Sequence, residues 1–382
     1  MDFEIPEEYR AMQKLARRFV EEELRPLEKE VEEKESLPLE TFQRLRDRSR
    51  ELGLLAPFSP EEEGGGGMPF SNLAYILLCE VMGSTCIIFR GLVGHGGRTG
   101  ASELSAAEEG GFWAAITEPD AGSDQKSMKT TAVKDGDEWV INGMKHLISG
   151  VTGPGNQPMG RQGIVYALTD RENRRVTPFL VKVGTPGFTI GRQQKLMGTR
   201  GVFVNELYFD DCRVPDSNRI GGEGLGLRHF LNLMALARLE IGAYGMGAAQ
   251  YCLDRCIDYA SHRVIFGQPL AMREAIQWMI TDSWMEIEQL RWLLYRTAWG
   301  MDQGEDLRLG YSACKVLGSE LACRVADRAI QIHGGLGYTT DLPFERIWRD
   351  YRGARIYEGA TEVHKFLIAR TLIEERTGLR IK

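Results

Sequence analysis

The spacing of apolar residues changes period twice along this 382-residue chain, and any fold has to accommodate both changes. As far as residue 112 the spacing is helical. In "EEYRAMQKLARRFVEEELRPLEKEVEEKE" one stripe carries Met12, Leu15, Ala16, Phe19 and Val20, with charges opposite. "FQRLRDRSRELGLL" and "SNLAYILLCEVMG" read as further helices, parted by "EEEGGGGMP", which is expected to be a flexible loop. Between Trp113 and Gly222 the segments become short, β-branched and aromatic: "DEWVINGMKHLIS", "GIVYALTD", "VTPFLVKV", "GFTIG" and "VFVNELYFDDCRVP". No helical pattern separates them, so an antiparallel barrel or sandwich is expected rather than a βαβ sheet. From Gly224 the helical period returns in four long amphipathic segments, the last being "EVHKFLIARTLIEER", which imply a helical bundle. The expected architecture is therefore α+β and multidomain. It comprises an N-terminal α-helical domain (1–112), a middle antiparallel β domain (113–222) and a C-terminal four-helix bundle (223–382).

Composition excludes several function classes. With 47 basic against 54 acidic side chains the net charge is −7, which does not suit a nucleic-acid surface. No apolar run approaches the ~20 residues that cross a bilayer, and the acidic start "MDFEIPEEYR" lacks the basic and apolar regions of a targeting peptide. The seven cysteines form no C-x-x-C pair, and Cys252 and Cys256 share a helix face as core thiols do. A reduced protein of cytoplasmic type, with no membrane partner, is expected. With six histidines and no H-E-x-x-H there is no case for a metal site.

Single motifs are ambiguous. "GGEGLG" (Gly221 to Gly226) has no βαβ unit around it and reads as a loop opening a helix. Gly242, Gly245 and Gly247 are explained by close helix packing. "AITEPDAGSD" (Ala115 to Asp124) can present backbone N–H groups to an anion or a flat ring edge, or be a polar turn. "QIHGG" (Gln331 to Gly335) ends a helix, and Arg263 in "SHRVIFGQP" either serves the helix dipole or binds a phosphate. Glu358, in "RIYEGATEV", lies at the mouth of a helix as a surface carboxylate or a base. Arg90, in "CIIFRGLVGHGG", either meets a polar or acidic end of a ligand or lies at the surface or an interface, the reading expected here since Arg is seldom buried unpaired.

Taken together, "ITEPDAGSD", "KHLIS", "KLMGTRG", "RVIFG", "QIHGGLGY" and "RIYEGATEV" resemble, in order and spacing, the acyl-CoA dehydrogenase family over nearly the whole chain. The resemblance implies FAD bound between the β domain and the bundle of a homotetramer, a dimer of dimers. It implies an acyl-CoA substrate converted to trans-2-enoyl-CoA, and electron-transfer flavoprotein as acceptor. By the same resemblance Glu358 is the catalytic base, and Tyr357 and Gly359 border the substrate. Ile116 and Thr117 face the flavin ring, Ser123 meets pyrophosphate and pantetheine, and Ser149 lies near flavin N5. Ala360 and Glu362 flank the cofactor, and Arg238 lies near the nucleotide of CoA. Arg263, Phe266, Gln331, Gly334 and Gly335 reach the FAD of a neighbouring subunit. Some relatives carry the base just before that arginine, but here the position is Ala237, which takes no proton.

The chain also departs from the family's pattern. Leu147 stands where an aromatic ring usually covers the flavin, Ile265 replaces a polar residue of the Arg-x-[Thr/Gln]-Phe-Gly pattern, and Ala360 stands where Thr is common. Asp120 replaces a usual Gly, and "GRTGASELSAAEEGGFW" looks short for its linker. Two alternatives therefore stand beside the dehydrogenase: an oxygen-using flavoenzyme of the same fold, and a degenerate non-catalytic subunit.

Overall fold

The computed structural model describes residues 4–63, 65–94, 111–153, 158 and 160–381. Most of the short linker before Trp113, together with Gly64 and the end of "CIIFRGLVGHGG", lies outside the described residues.

Helix α1 (Glu7–Phe19) buries Met12, Ala16 and Phe19 and continues through Leu27 into α2 (Glu28–Lys34). Pro38 opens α3 (Leu39–Glu51), where its missing N–H costs nothing. Helix α4 (Asn72–Met82) is buried on every side from Ala74 to Met82, as befits a helix with almost no charged residue. Its first turn is capped twice. Ser71 Oγ accepts from Ala74 N–H and donates to the Asp302 carboxylate (2.9 Å), which also accepts the Leu73 N–H (3.2 Å).

The glycine run between α3 and α4 is not the flexible loop expected. Gly66 donates to Ala56 O, Gly67 to Ser59 O and Met68 to Pro57 O, at 2.9–3.0 Å. A Cβ on Gly65 would lie 2.2 Å from Ser59 O, so the absent side chains let this strand of chain lie flat on residues 57–59.

The middle of the chain forms one seven-stranded sheet: β1 (Gly111–Ala115), β2 (Thr131–Asp135), β3 (Glu138–Ser149), β4 (Gly160–Asp170), β5 (Arg175–Lys182), β6 (Phe188–Gln194) and β7 (Val204–Pro215). The β2–β3, β3–β7, β4–β5 and β6–β7 pairs are antiparallel as expected. However, β1 runs parallel to β4 along its length, and β2 meets β4 in parallel at Thr131–Leu168. Alternating hydrophobicity fixes which face of a strand is buried but not which strand it joins, so this mixture was not readable. Inside the sheet Trp113 stacks on Phe188 at 5.6 Å, and Gly163 lies so close beneath the indole that a Cβ would meet it at 2.1 Å.

The third region holds α5 (Gly226–His262), the hairpin β8 (Val264–Ile265) and β9 (Gln268–Pro269), then α6 (Glu274–Asp302), α7 (Arg308–His333), α8 (Phe344–Ala354) and α9 (Thr361–Thr377). "GGEGLG" indeed opens α5. The four expected helices are present, and α8 is an addition that the sequence reading missed. Its apolar face is only Phe344, Ile347, Tyr351 and Ala354, and it also buries Arg346 and Asp350. Arg346 pairs with Glu28 of α2 (3.1 Å) and Asp350 (3.7 Å), and Asp350 accepts the Thr199 N–H from the "KLMGTRG" loop. Helix α8 thereby ties all three regions together.

Three glycines of α5 bring backbones into contact. A Cβ on Gly242 would meet Cys314 O at 2.8 Å, one on Gly245 would meet Gly318 O at 2.2 Å, and one on Gly247 would meet Glu80 O at 1.7 Å. Replacing Gly247 by Ala is expected to cost about 3 kcal/mol by forcing α4 from α5. Gly91→Ala, where a Cβ meets nothing within 4 Å, should stay within about 0.5 kcal/mol. Thermal midpoints of the two variants check this.

Candidate active site

Six residues, 355–360, join α8 to α9, and two adopt left-handed backbone: Glu358 at φ +55° and Gly359 at φ +91°. A non-glycine residue there stores strain that its surroundings must hold. His364 Nε2 donates to Glu358 O at 3.1 Å, and Lys315 Nζ from α7 donates to Gly359 O. A Cβ on residue 359 would lie 2.7 Å from His364 Nε2, so the position is closed to other residues by contact as well as by φ. Burial lowers the His364 pKa to about 4, which keeps the ring neutral with one N–H to give. The N–H of Glu358 finds no acceptor among the described residues.

The Glu358 carboxylate keeps some accessible surface although protein encloses it on nearly every side, as does a group on the floor of a cleft. Burial raises its pKa above the ordinary carboxylate value, and the charges of Arg238 and Lys315 oppose that rise. Arg238, buried on α5, lies 5.9 Å from the Tyr311 ring, and its Nε has no partner. Lys315 is itself pushed down to about 8 by burial, with Glu358 pulling it back up. Ala237 next to Arg238 offers no acid at all.

A second group of expected residues gathers at one end of the sheet. Ile116 is buried in a small apolar cluster with Met128, Ile164 and Tyr166, and Thr117, half-buried, accepts the His146 N–H at 2.9 Å. Beneath them runs a buried ion pair, Lys145 Nζ to Glu118 Oε1 at 2.8 Å, and Nζ also donates to Ile116 O at 3.1 Å. Glu118 accepts two backbone N–H bonds as well, from Lys129 and Thr130. Burial drives the Lys145 pKa down to about 8. Glu118, which burial would raise, is held below its usual range by Lys145 and those donors. Both stay charged at neutral pH. A break in the β3–β7 register between Lys145 and Ile148 turns Lys145 inward and leaves Leu147 half-exposed at φ +60°. Ser123 and Ser149 are both exposed.

A third group does not converge on Glu358 within one chain. Helices α5 and α7 run parallel, since Gly242, midway along α5, meets Cys314 near the start of α7, and Tyr259 stacks on His333 at 4.2 Å near the ends of both. Arg263, Phe266, Gln331, Gly334 and Gly335 therefore share the far end. They are separated from Arg238 by about 37 Å of helix at ~1.5 Å per residue. All five are exposed, Phe266 at 93%, and a Cβ on Gly334 or Gly335 would meet nothing. Ala360 and Glu362 flank the buried Thr361, whose Oγ1 lacks a partner.

The sequence reading missed Lys145, Lys315, His364 and Glu240. Lys145, Lys315 and Glu240 meet partners 27, 44 and 165 residues away, while His364 meets Glu358 O six residues before it, and only the motif "KHLIS" hinted at one of them. It also misplaced Arg90. The residue is half-buried, and its guanidinium packs 4.1 Å over the Tyr244 ring and donates to Tyr351 Oη at 2.9 Å. Two aromatic faces and a hydroxyl make its burial tolerable without an ion pair.

A helical layer, a sheet and a helical bundle, in that order along the chain, match one family throughout. Models of the N-terminal, middle and C-terminal domains of acyl-CoA dehydrogenase match residues 6–107, 114–212 and 224–373. The chain belongs to the acyl-CoA dehydrogenase family, FAD-dependent oxidoreductases acting on CH–CH bonds. Among its relatives, acryloyl-CoA reductase (NADH) of Anaerotignum propionicum is 35% identical, covering 98% of this chain and 96% of that one. The human mitochondrial short-chain specific acyl-CoA dehydrogenase is 32% identical over 97% of this chain and 91% of its own. The solved butyryl-CoA dehydrogenase of Megasphaera elsdenii superposes with a TM-score of 0.86 at 29% identity, covering 98% of this chain and all of that one.

The residues present fit FAD. The end of the sheet offers an apolar wall beside exposed hydroxyls, and Thr361 Oγ1 is a buried polar atom in need of a partner. Lys145→Met is expected to leave Glu118 buried and unpaired. Stability should fall by roughly 3–5 kcal/mol, with loss of retained flavin, as measured by melting and by the flavin-to-protein absorbance ratio.

Proposed function

We propose that this enzyme oxidises the Cα–Cβ bond of an acyl-CoA thioester, with Glu358 taking the α proton. The observation that carries the reading is the turn at Glu358, which offers an enclosed carboxylate and an unengaged backbone N–H in one residue. The N–H donates to the thioester carbonyl, and so draws off the charge that develops when the α proton leaves. Burial makes the carboxylate a stronger base than an exposed one, while Arg238 and Lys315 keep a working fraction ionised. Lys315 and His364 hold the two carbonyls of the turn from beneath, which fixes where the carboxylate can go.

Tyr357 and Gly359 border the acyl group, and Ser123 and Arg238 attend the CoA portion. Bound FAD would supply the acceptor for the β hydride, so that the product would be a trans-2-enoyl-CoA. Ile116, Thr117, Ser149, Ala360 and Glu362 hold its flavin half. Arg263, Phe266, Gln331, Gly334 and Gly335 serve the FAD of a second copy, a division that their ~37 Å separation from the Arg238 end supports. A dimer of dimers is further supported by α6, where exposed Trp278, Met285, Trp292 and Trp299 recur every seventh residue on one face. Electrons then pass to electron-transfer flavoprotein, the acceptor that the resemblance implies. The names of the relatives favour a short acyl chain.

Leu147, 51% exposed on the bulge of β3, favours a second reading in which oxygen reaches the flavin directly. Anaerobic mixing with short acyl-CoAs should bleach the flavin, and slow reoxidation in air distinguishes the dehydrogenase from that alternative. Glu358→Gln should retain FAD yet lower kcat by about 10³-fold. In the wild type, kcat should rise with pH along an acid limb whose midpoint lies above 4.5, because the base must be deprotonated and its pKa is raised. A midpoint at or below 4.5 in a stopped-flow pH series would sink the assignment.

A further inference from the structure

Two ionisable side chains lie close to the turn that carries Glu358 and take no part in proton abstraction. Arg90, on the helical turn Ile87–Leu92 after α4, lies between Tyr244 and the turn that carries the base. Besides donating to Tyr351 it lies beside Tyr357, the neighbour of Glu358, whose phenol feels its charge. Its Nε is buried with no acceptor, and no carboxylate of the described residues pairs with it. Glu240 projects from α5 one turn before Tyr244, and Tyr75 Oη of α4 donates to its Oε1 at 2.8 Å. Its Oε2 makes no hydrogen bond with the described residues. Burial lifts this carboxyl to about 7. Tyr75 and Arg90 pull it down and Glu358 pushes it up, so Glu240 senses both the arginine and the base.

A cleft built for an alkyl chain gains nothing from two such groups, and burying each half-satisfied costs free energy. We infer that Arg90 and Glu240 form a polar subsite for a short acyl thioester whose distal end carries a neutral group that both donates and accepts hydrogen bonds, a hydroxyl or a primary amide. The inference rests on the dehydrogenase reading above and names the substrate class of the same cleft. Arg90 can only donate, and the free oxygen of Glu240 is the complementary acceptor. One hydroxyl or amide satisfies both at once. A carboxylate would add negative charge beside Glu240 and Glu358, an ammonium would oppose Arg90, and a methyl would leave both unpaired.

The test measures anaerobic flavin bleaching and kcat/KM of the FAD-loaded enzyme with 4-hydroxybutyryl- and 5-hydroxypentanoyl-CoA against butyryl-, pentanoyl- and glutaryl-CoA. A hydroxyacyl thioester is expected to exceed the alkyl chain of equal length by about 100-fold. Equal or faster turnover of the alkyl chain, or preference for glutaryl-CoA, overturns the subsite while leaving the dehydrogenase intact. Bleaching by none of them overturns the dehydrogenase reading, and this one with it. Glu240→Leu should invert the ranking of hydroxyacyl and alkyl thioesters of equal length. If that variant does not fold, Arg90→Met makes the same test, and the wild-type ranking decides without either.

Discussion

The architecture depends on the contact of helix backbones at α5. Where Gly242, Gly245 and Gly247 meet Cys314, Gly318 and Glu80, no Cβ intervenes, and the three helices pack closer than ordinary side chains permit. This contact sets the cleft as well as the core. Helix α4 supplies Tyr75, α5 supplies Arg238, Glu240 and Tyr244, and α7 supplies Lys315. Side chains that must converge on a few atoms need carriers whose separation cannot drift, and backbone contact provides that rigidity. Gly83 repeats the device just after α4, where a Cβ would meet Tyr244 O at 2.0 Å.

Charge in this cleft is balanced rather than simply buried. A lone enclosed glutamate would take up a proton and cease to act as a base at neutral pH, while one in a tight ion pair would be too weak a base. Glu358 lies between these limits. Burial raises it, and Arg238 and Lys315 oppose the rise without a direct salt bridge to its carboxylate. Lys315 spends its own hydrogen bond on Gly359 O, so it acts on the base through space and on the turn by contact. The Lys145–Glu118 pair beneath Ile116 follows the opposite rule. It is direct, fully buried and further bonded by backbone, which suits a fixed support.

The period changes made the order of helix, sheet and helix legible, because burial on one face imposes them wherever the chain folds. The motifs made Glu358 legible, and its left-handed φ beside Gly359 agrees with a site where strain is stored. What remained hidden depends on partners far apart in sequence. The parallel placement of β1 on β4, the short helix α8 with its buried Arg346 and Asp350, and the folded-back glycine run each look locally like something else. Arg90 is the clearest instance. A solitary arginine after an apolar helix reads as surface, and only Tyr244 and Tyr351, more than 150 residues away, provide the aromatic faces that let it stay inside.

The distribution of the site over the chain carries a consequence for assembly. Arg238, whose charge acts on Glu358, and Arg263 lie about 37 Å apart along α5, and Phe266 and Gly334 share the Arg263 end. Exposure of Phe266, Leu336 and Tyr338 at one end, and of the tryptophan stripe along α6, is uncommon on a lone soluble chain. Both features have one economical account. On the reading proposed above, a second copy would bring its far end to the first copy's cleft, covering apolar surface and completing the dinucleotide's cradle in the same contact. On that account cofactor retention and assembly are linked equilibria, since a ligand that spans two chains stabilises the contact by the free energy with which it binds. A change at Phe266 would then loosen FAD in a cleft whose own residues are untouched.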